Sequence, residues 1–162
     1  MLRGVAVTAV LVIAALPLAA QRRPASRPAA RAATAGPRIG PHIGYNFDVE
    51  EGVLGAQAAF PVAPAFDLYP SFDFYLVSGF TLWALNFDVR YRPPTRFGLL
   101  YFGGGLNYLR FSADGFGSSD TNLNLLVGVE SRPRRAAPYA EFRITVGDGS
   151  SIQLVGGVSW RT

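Results

Sequence analysis

The sequence contains no cysteine and no lysine, and it has a single histidine, His42. Without cysteine the chain can form no disulfide framework, no cysteine-ligated zinc site and no thiol nucleophile. A lone histidine also lacks the partner residues that a metal site or a catalytic triad requires. Charged residues make up only 16% of the chain, whereas soluble domains carry about a quarter. We therefore expect no cofactor, no metal site and a surface that does not face water everywhere.

The net charge of +4 does not indicate a nucleic-acid-binding protein, because the excess lies outside the region of regular patterning. Every basic residue is an arginine, and five of the 15 precede residue 38. From Arg38 onward there are ten arginines and all 11 acidic residues, a net charge of −1. A nucleic-acid-binding domain carries its basic patch on the folded part of the chain. We expect no nucleic-acid partner.

The first 37 residues divide into two segments. Residues 1–20 combine Arg3, an apolar run from Val5 to Leu16 and small residues at the end, a pattern typical of a cleavable signal peptide. Residues 21–37 are rich in Ala, Arg and Pro and lack apolar periodicity. Such a segment buries too little apolar surface to offset the entropy of ordering, which predicts a disordered linker. Residues 38–162 then form a single domain.

Residues 38–162 alternate between apolar and polar side chains over eight segments. The fourth segment, for example, sets Trp83, Phe87 and Tyr91 against Asp88 and Arg90. Strict alternation is typical of strands with two different faces. Gly-, Pro-, Asp- and Ser-rich segments such as RPPT, SADGFGSSD and GDGS separate the runs. The pattern predicts an all-β fold, an eight-stranded antiparallel up-and-down barrel whose strands of about ten residues suffice to cross a bilayer.

Alternation alone permits a soluble lipocalin-like barrel that binds an apolar ligand in the periplasm, or a transmembrane barrel with lipid outside. Three features favour the second interpretation. The polar face has no lysine, the apolar face carries large residues on every segment, and aromatic residues lie towards segment ends. Bands of aromatic residues mark the two interfaces of membrane barrels. The predicted interfacial aromatics are Tyr45, Trp83, Tyr91, Tyr108 and Trp160.

The polar face carries charges of both signs. In a transmembrane barrel these side chains point into a narrow lumen, where buried charges persist only when they are paired. The predicted lumen charge network consists of Asp67, Asp73, Asp88, Arg90, Arg92, Glu130, Glu141, Arg143 and Arg161. Eight-stranded interiors are largely filled by side chains, so we interpret the network as a plug. A narrow channel is the alternative.

Candidate catalytic residues are absent from the pattern. The sequence has no G-x-S-x-G elbow, and no serine lies two residues from His42. Gly103, Gly104 and Gly105 follow a predicted strand, but alternation resumes at once, so no phosphate-binding helix follows. His42 is expected to be a hydrogen-bonded member of the lumen network. We expect the protein not to be an enzyme.

The segment YFGGGLNYLRF and the closing segment SIQLVGGVSWRT carry a family resemblance. Residues 38–162 resemble the small outer-membrane β-barrel superfamily of OmpA/OmpX type. The resemblance implies a bacterial outer-membrane location with the N-terminal tail in the periplasm, and a structural or surface-interaction role as a monomer. It also implies contact with outer-membrane lipid, lipopolysaccharide and the barrel-assembly machinery, which reads a terminal aromatic. Here Trp160 is third from the end, followed by Arg161 and Thr162.

Overall fold

The computed structural model describes residues 36–94, 100–113, 115–131, 135–148 and 150–162. The signal peptide predicted at 1–20 and most of the linker predicted at 21–37 lie outside these residues. Within them no helix is long and apolar enough to cross a membrane. The strands are β1 (Arg38–Asn46), β2 (Glu51–Ala63), β3 (Phe66–Tyr75), β4 (Thr81–Tyr91), β5 (Leu100–Ala113), β6 (Phe116–Glu130), β7 (Ala136–Val146) and β8 (Ser151–Arg161).

The eight strands form a closed barrel in which each strand pairs antiparallel with its sequence neighbours. The barrel closes where β1 pairs with β8, from the Arg38–Arg161 pair to the Asn46–Gln153 pair. Closure leaves no exposed sheet edge along this seam, as a strand surrounded by lipid requires. The predicted eight-stranded up-and-down barrel is therefore confirmed.

The connections between strands define two ends of the barrel. The hairpin end carries the β1–β2, β3–β4, β5–β6 and β7–β8 connections. Gly79 (φ 84°) and Gly115 (φ 85°) occupy the left-handed region in two of these turns, which a residue without a Cβ adopts at little cost. Asn46 closes the first turn by accepting hydrogen bonds from the backbone N–H groups of Asp48 and Val49. The opposite end, called the terminal end, carries the β2–β3, β4–β5 and β6–β7 connections. Gly36 and Thr162 also lie at this end.

The barrel wall has its apolar side on the outside. Large apolar or aromatic side chains are exposed on each of the eight strands, as Ile43 (66%), Phe87 (56%) and Leu125 (57%) illustrate. The inward positions hold charges instead, and Asp88 and Arg143 are 0% and 2% exposed. A soluble lipocalin-like barrel needs the opposite distribution. This arrangement contradicts that alternative and is the one expected of a barrel surrounded by lipid.

The β1–β8 seam depends on a glycine that points inward. A Cβ on Gly40 would lie 1.8 Å from the backbone oxygen of Val158, whereas a Cβ on Gly156 in the same seam would lie no nearer than 3.9 Å to its first neighbour. We expect Gly40→Ala to lower the free energy of unfolding by about 1–3 kcal/mol, because β1 and β8 must move apart. Urea unfolding of the refolded barrel measures the loss, and Gly156→Ala is the matched control. Equal midpoints for the two variants would contradict this account of the seam.

Candidate functional site

The candidate site is the lumen, where alternate residues of all strands meet. Its central cluster consists of His42, Asp73, Glu141 and Arg143, from β1, β3 and β7. The Arg143 guanidinium donates to Asp73 Oδ2 over 3.0 Å and to Glu141 Oε1 over 2.7 Å. All four residues are at most 3% exposed. One arginine therefore neutralises carboxylates from two strands, in the charge-assisted geometry that buried ions require.

Polar side chains from other strands complete the shell of Asp73. His42 Nε2 lies 2.6 Å from Asp73 Oδ1, and the Asn86 side-chain amide donates to Oδ2 over 3.0 Å. Tyr101 donates its hydroxyl hydrogen to Glu141 Oε2 over 2.9 Å. The cluster thus joins β1, β3, β4, β5 and β7 across the barrel. The position of His42 is that of a hydrogen-bonded network member.

Asparagines continue the network from Asn86. The side-chain amides of Asn107 and Asn124 both donate to Asn86 Oδ1, over 2.8 Å and 2.9 Å. Asn124 also donates to Asp88 Oδ1 over 3.2 Å, and Thr145 donates to Asn124 Oδ1 over 3.0 Å. Amides can donate and accept at once, so they connect carboxylates that share no arginine.

A second group of charges, the terminal cluster, lies at the terminal end and consists of Arg38, Asp67, Arg90, Arg92 and Glu130. Asp67 lies 3.3 Å from Arg90 and 2.6 Å from Arg92. Glu130 pairs with Arg38 and lies 2.8 Å from Arg92. Three arginines thus share two carboxylates from β3 and β6. All except Arg92, which is partly exposed, are buried.

Arg90 connects the two clusters through aromatic rings. Its guanidinium carbon lies 3.7 Å from the ring centroid of Tyr69 and 4.8 Å from that of Tyr101. Both distances are within the range of a cation–π contact, which strengthens when the cation is desolvated. Because Tyr101 also bonds Glu141, the terminal and central clusters form one continuous structure.

Part of the lumen towards the hairpin end is apolar, which the alternation did not predict. Val53, Tyr75, Leu82 and Ala84 form a buried cluster, against which Val77, Leu109 and Phe111 pack. Leu109 and Phe111 share the inward register of Asn107 on β5. The sequence interpretation treated that face as polar and passed over these residues. The lumen is therefore filled by ion pairs towards the terminal end and by both apolar and polar side chains towards the hairpin end.

Eight of the nine residues predicted to form the charge network lie in the lumen. The prediction is wrong for the ninth, Arg161. Arg161 is exposed, although it continues the inward register of Ser159 on β8. It stands at the last position of the strand, beyond the ring of residues that encloses the lumen. The sequence interpretation did not include Arg38 in the network. Arg38 begins β1 and has the same inward register as His42, so the alternation of side chains could have identified it.

The five predicted interfacial aromatics all lie on the outer wall, at two levels. Tyr45, Trp83 and Tyr108 lie towards the hairpin end, where the rings of Trp83 and Tyr108 are 5.9 Å apart. Tyr91 ends β4 and Trp160 is the penultimate residue of β8, both at the terminal end, and the ring of Tyr91 lies 5.1 Å from the ring of Phe66. An apolar belt between two aromatic levels has the layout of a bilayer-spanning wall.

The carboxylates of both clusters are paired with arginines, and His42 Nδ1, Arg90 Nε and Arg143 Nε lie buried without a hydrogen-bond partner among the described residues. Across the described residues, no three histidine, aspartate or glutamate side chains are grouped to hold a metal ion. Asp73 and Glu141, the carboxylates nearest to His42 and Arg143, are already engaged by the hydrogen bonds given above. The arrangement therefore joins strands of the wall across the lumen.

Solved structures of other proteins share the fold of this chain. Neisserial surface protein A aligns with a TM-score of 0.67 and 16% identity, over 79% of this chain and 98% of that one. The N-terminal β-barrel domain of OprF from Pseudomonas aeruginosa gives 0.64 and 15%, over 78% and 96%. The Yersinia pestis outer membrane protein Ail, in a phospholipid bilayer nanodisc, gives 0.52 and 15%, over 77% and 99%. The chain has the fold of a small outer-membrane β-barrel.

These likenesses concern the backbone. No family model matches the chain, and no curated protein sequence matches it either. At 15–16% identity, most residues differ between this chain and these proteins. The shared fold therefore does not indicate a ligand or a partner for this chain.

Proposed function

We propose that the protein is a non-enzymatic barrel of the bacterial outer membrane with a structural or surface-interaction role. The observation that carries this proposal is the inverted distribution of side chains, with apolar residues exposed on all eight strands and ion pairs inside. The hairpin end faces outwards and the terminal end faces the periplasm, where the N-terminal tail then lies. Lipid, lipopolysaccharide and, during biogenesis, the barrel-assembly machinery are its partners, and it acts as a monomer.

The filled lumen favours a closed barrel over a narrow channel. Arg143 reaches across the interior from β7 to Asp73 on β3, and the cluster of Val53 and Leu82 fills part of the lumen towards the hairpin end. An ion entering this path would have to break buried charge pairs, and leaving a buried charge without its partner is costly. We expect no single-channel conductance above background when the purified protein is added to a planar lipid bilayer.

Cell fractionation tests the proposed location. The mature protein should sediment with the outer membrane and need detergent for extraction. On a gel it should migrate faster unheated than boiled, because the closed barrel withstands detergent until it is heated. Recovery of the protein in the periplasmic fraction without detergent would overturn the proposal.

A separate crosslinking experiment identifies surface partners. The crosslinker is placed at Phe116, which is 81% exposed on the β5–β6 hairpin.

A further inference from the structure

The outer wall of the barrel carries one charged side chain, Arg110 of β5. Arg110 pairs with Trp83 of β4 and with Ser119 of β6, and it lies on the outward register with both. The other outward positions of the eight strands, as the structure describes them, hold uncharged residues. Arg110 is half-buried and forms no ion pair with any described residue. A guanidinium group on a lipid-facing wall needs a polar partner, because hydrocarbon solvates it poorly.

The guanidinium group of Arg110 lies over Gly117 of β6. A Cβ added to Gly117 would lie 2.8 Å from Arg110 Nη2 and 3.3 Å from Arg110 Cζ, so the glycine leaves room for the group against the wall. Gly117 is two residues nearer to the β5–β6 turn than Ser119, the register partner of Arg110. The side chain is therefore directed along the wall towards the hairpin end and away from the hydrocarbon layer.

Hydroxyl side chains border the position of this guanidinium group. Ser112 pairs with Gly117 on one side and with Thr81 of β4 on the other. Thr81, Ser112 and Ser119 are all exposed, and directly paired residues of an antiparallel ladder have their Cβ atoms about 4.5–5.5 Å apart. Hydroxyl groups donate to anionic oxygens, and a guanidinium group adds charge-assisted hydrogen bonds. The patch therefore has the chemistry of a phosphate site.

The wall beneath this patch identifies a lipid as the carrier of the phosphate. The rings of Trp83 and Tyr108 lie 5.9 Å apart at the aromatic level of the hairpin end. Leu106, two residues further towards the middle of β5, is 51% exposed. The order from the hairpin end inwards is thus cation and hydroxyl groups, aromatic rings and apolar surface. A bilayer leaflet presents phosphate, interface and acyl chains in the same order.

We propose that Arg110 binds a phosphate group of one lipopolysaccharide molecule in the outer leaflet. Thr81, Ser112 and Ser119 donate hydrogen bonds to the same phosphate, and the acyl chains of that molecule lie on the wall below Trp83. This inference rests on the proposed function, which sets the hairpin end outwards. It goes further because it assigns the phosphate of a general lipid partner to one guanidinium group on the wall.

Native mass spectrometry of the full mature protein in detergent, with purified lipid A added, tests the site. We expect one retained lipid A per barrel, and an affinity at least about tenfold lower for Arg110→Gln, because charge-assisted hydrogen bonds to phosphate are lost. Ser112→Ala combined with Ser119→Ala leaves the charge in place and should lower the affinity at least about threefold. Arg161→Gln removes an exposed arginine at the terminal end. It is the matched control and should retain lipid A as the wild type does.

Two further probes separate the phosphate from its carrier. Lipid A without its phosphates should bind the wild type as weakly as intact lipid A binds Arg110→Gln. Inorganic phosphate should not displace lipid A, and displacement at equal concentration would overturn the lipid as the carrier. Equal retention of lipid A by the wild type and by Arg110→Gln would overturn the site itself. Flotation with vesicles and heat-dependent gel migration report the proposed function separately, and every variant should pass both.

Discussion

Replacement of Arg143 by leucine is expected to cost about 3–5 kcal/mol of unfolding free energy, the usual result of removing one partner of a buried ion pair. Arg143 is 2% exposed and is the cation that contacts both Asp73 and Glu141. Without it, those two carboxylates, each 1% exposed, are left buried without a countercharge from Arg143. The measurement is urea unfolding of the barrel refolded into lipid vesicles, followed by the fluorescence of Trp83 and Trp160.

Two variants serve as controls for this result. Arg161→Leu removes an exposed arginine without an ion pair and should change the unfolding free energy by no more than about 0.5 kcal/mol. Glu141→Gln combined with Arg143→Leu should recover part of the loss, because one of the two unpaired charges is gone. If Arg143→Leu unfolded at the wild-type urea concentration, the central cluster would not be what holds the wall together.

The second large effect is expected on the outer wall. Leu125 is 57% exposed in the middle of β6, so Leu125→Arg places a guanidinium group in the hydrocarbon layer. The expected loss is about 2–4 kcal/mol, the cost of arginine at the midplane of a membrane barrel. The same vesicle-based urea titration measures it.

Thr121→Arg provides a control on the same strand and face. Thr121 is exposed and pairs with the interfacial Tyr108, and a charge near the interface should cost about 0–1 kcal/mol. A difference between Leu125→Arg and Thr121→Arg would therefore report depth in a bilayer. Equal tolerance of both would indicate that water surrounds the wall, contrary to the proposed location.

Side-chain alternation was enough to predict which way most residues point. A strand places successive side chains on opposite faces, so Asp73 and Phe74 had to separate whatever their neighbours were. That rule identified the eight network residues that lie in the lumen, and it could have identified Arg38. The prediction was wrong for Arg161, the last residue of β8, because alternation does not indicate where along a strand the lumen ends.

The sequence by itself determined the period of two, the turn positions and hence an eight-stranded barrel with unlike faces, because these depend on local geometry and composition. Only the tertiary structure decided which charges meet. Arg38 and Glu130 are 92 residues apart and come together through barrel closure and strand register, which are global properties. The strand pairing likewise gathers Val53, Leu82 and Leu109 into an apolar cluster in the lumen. Contacts between strands depend on the register of every intervening pair, and no single strand's sequence contains that information.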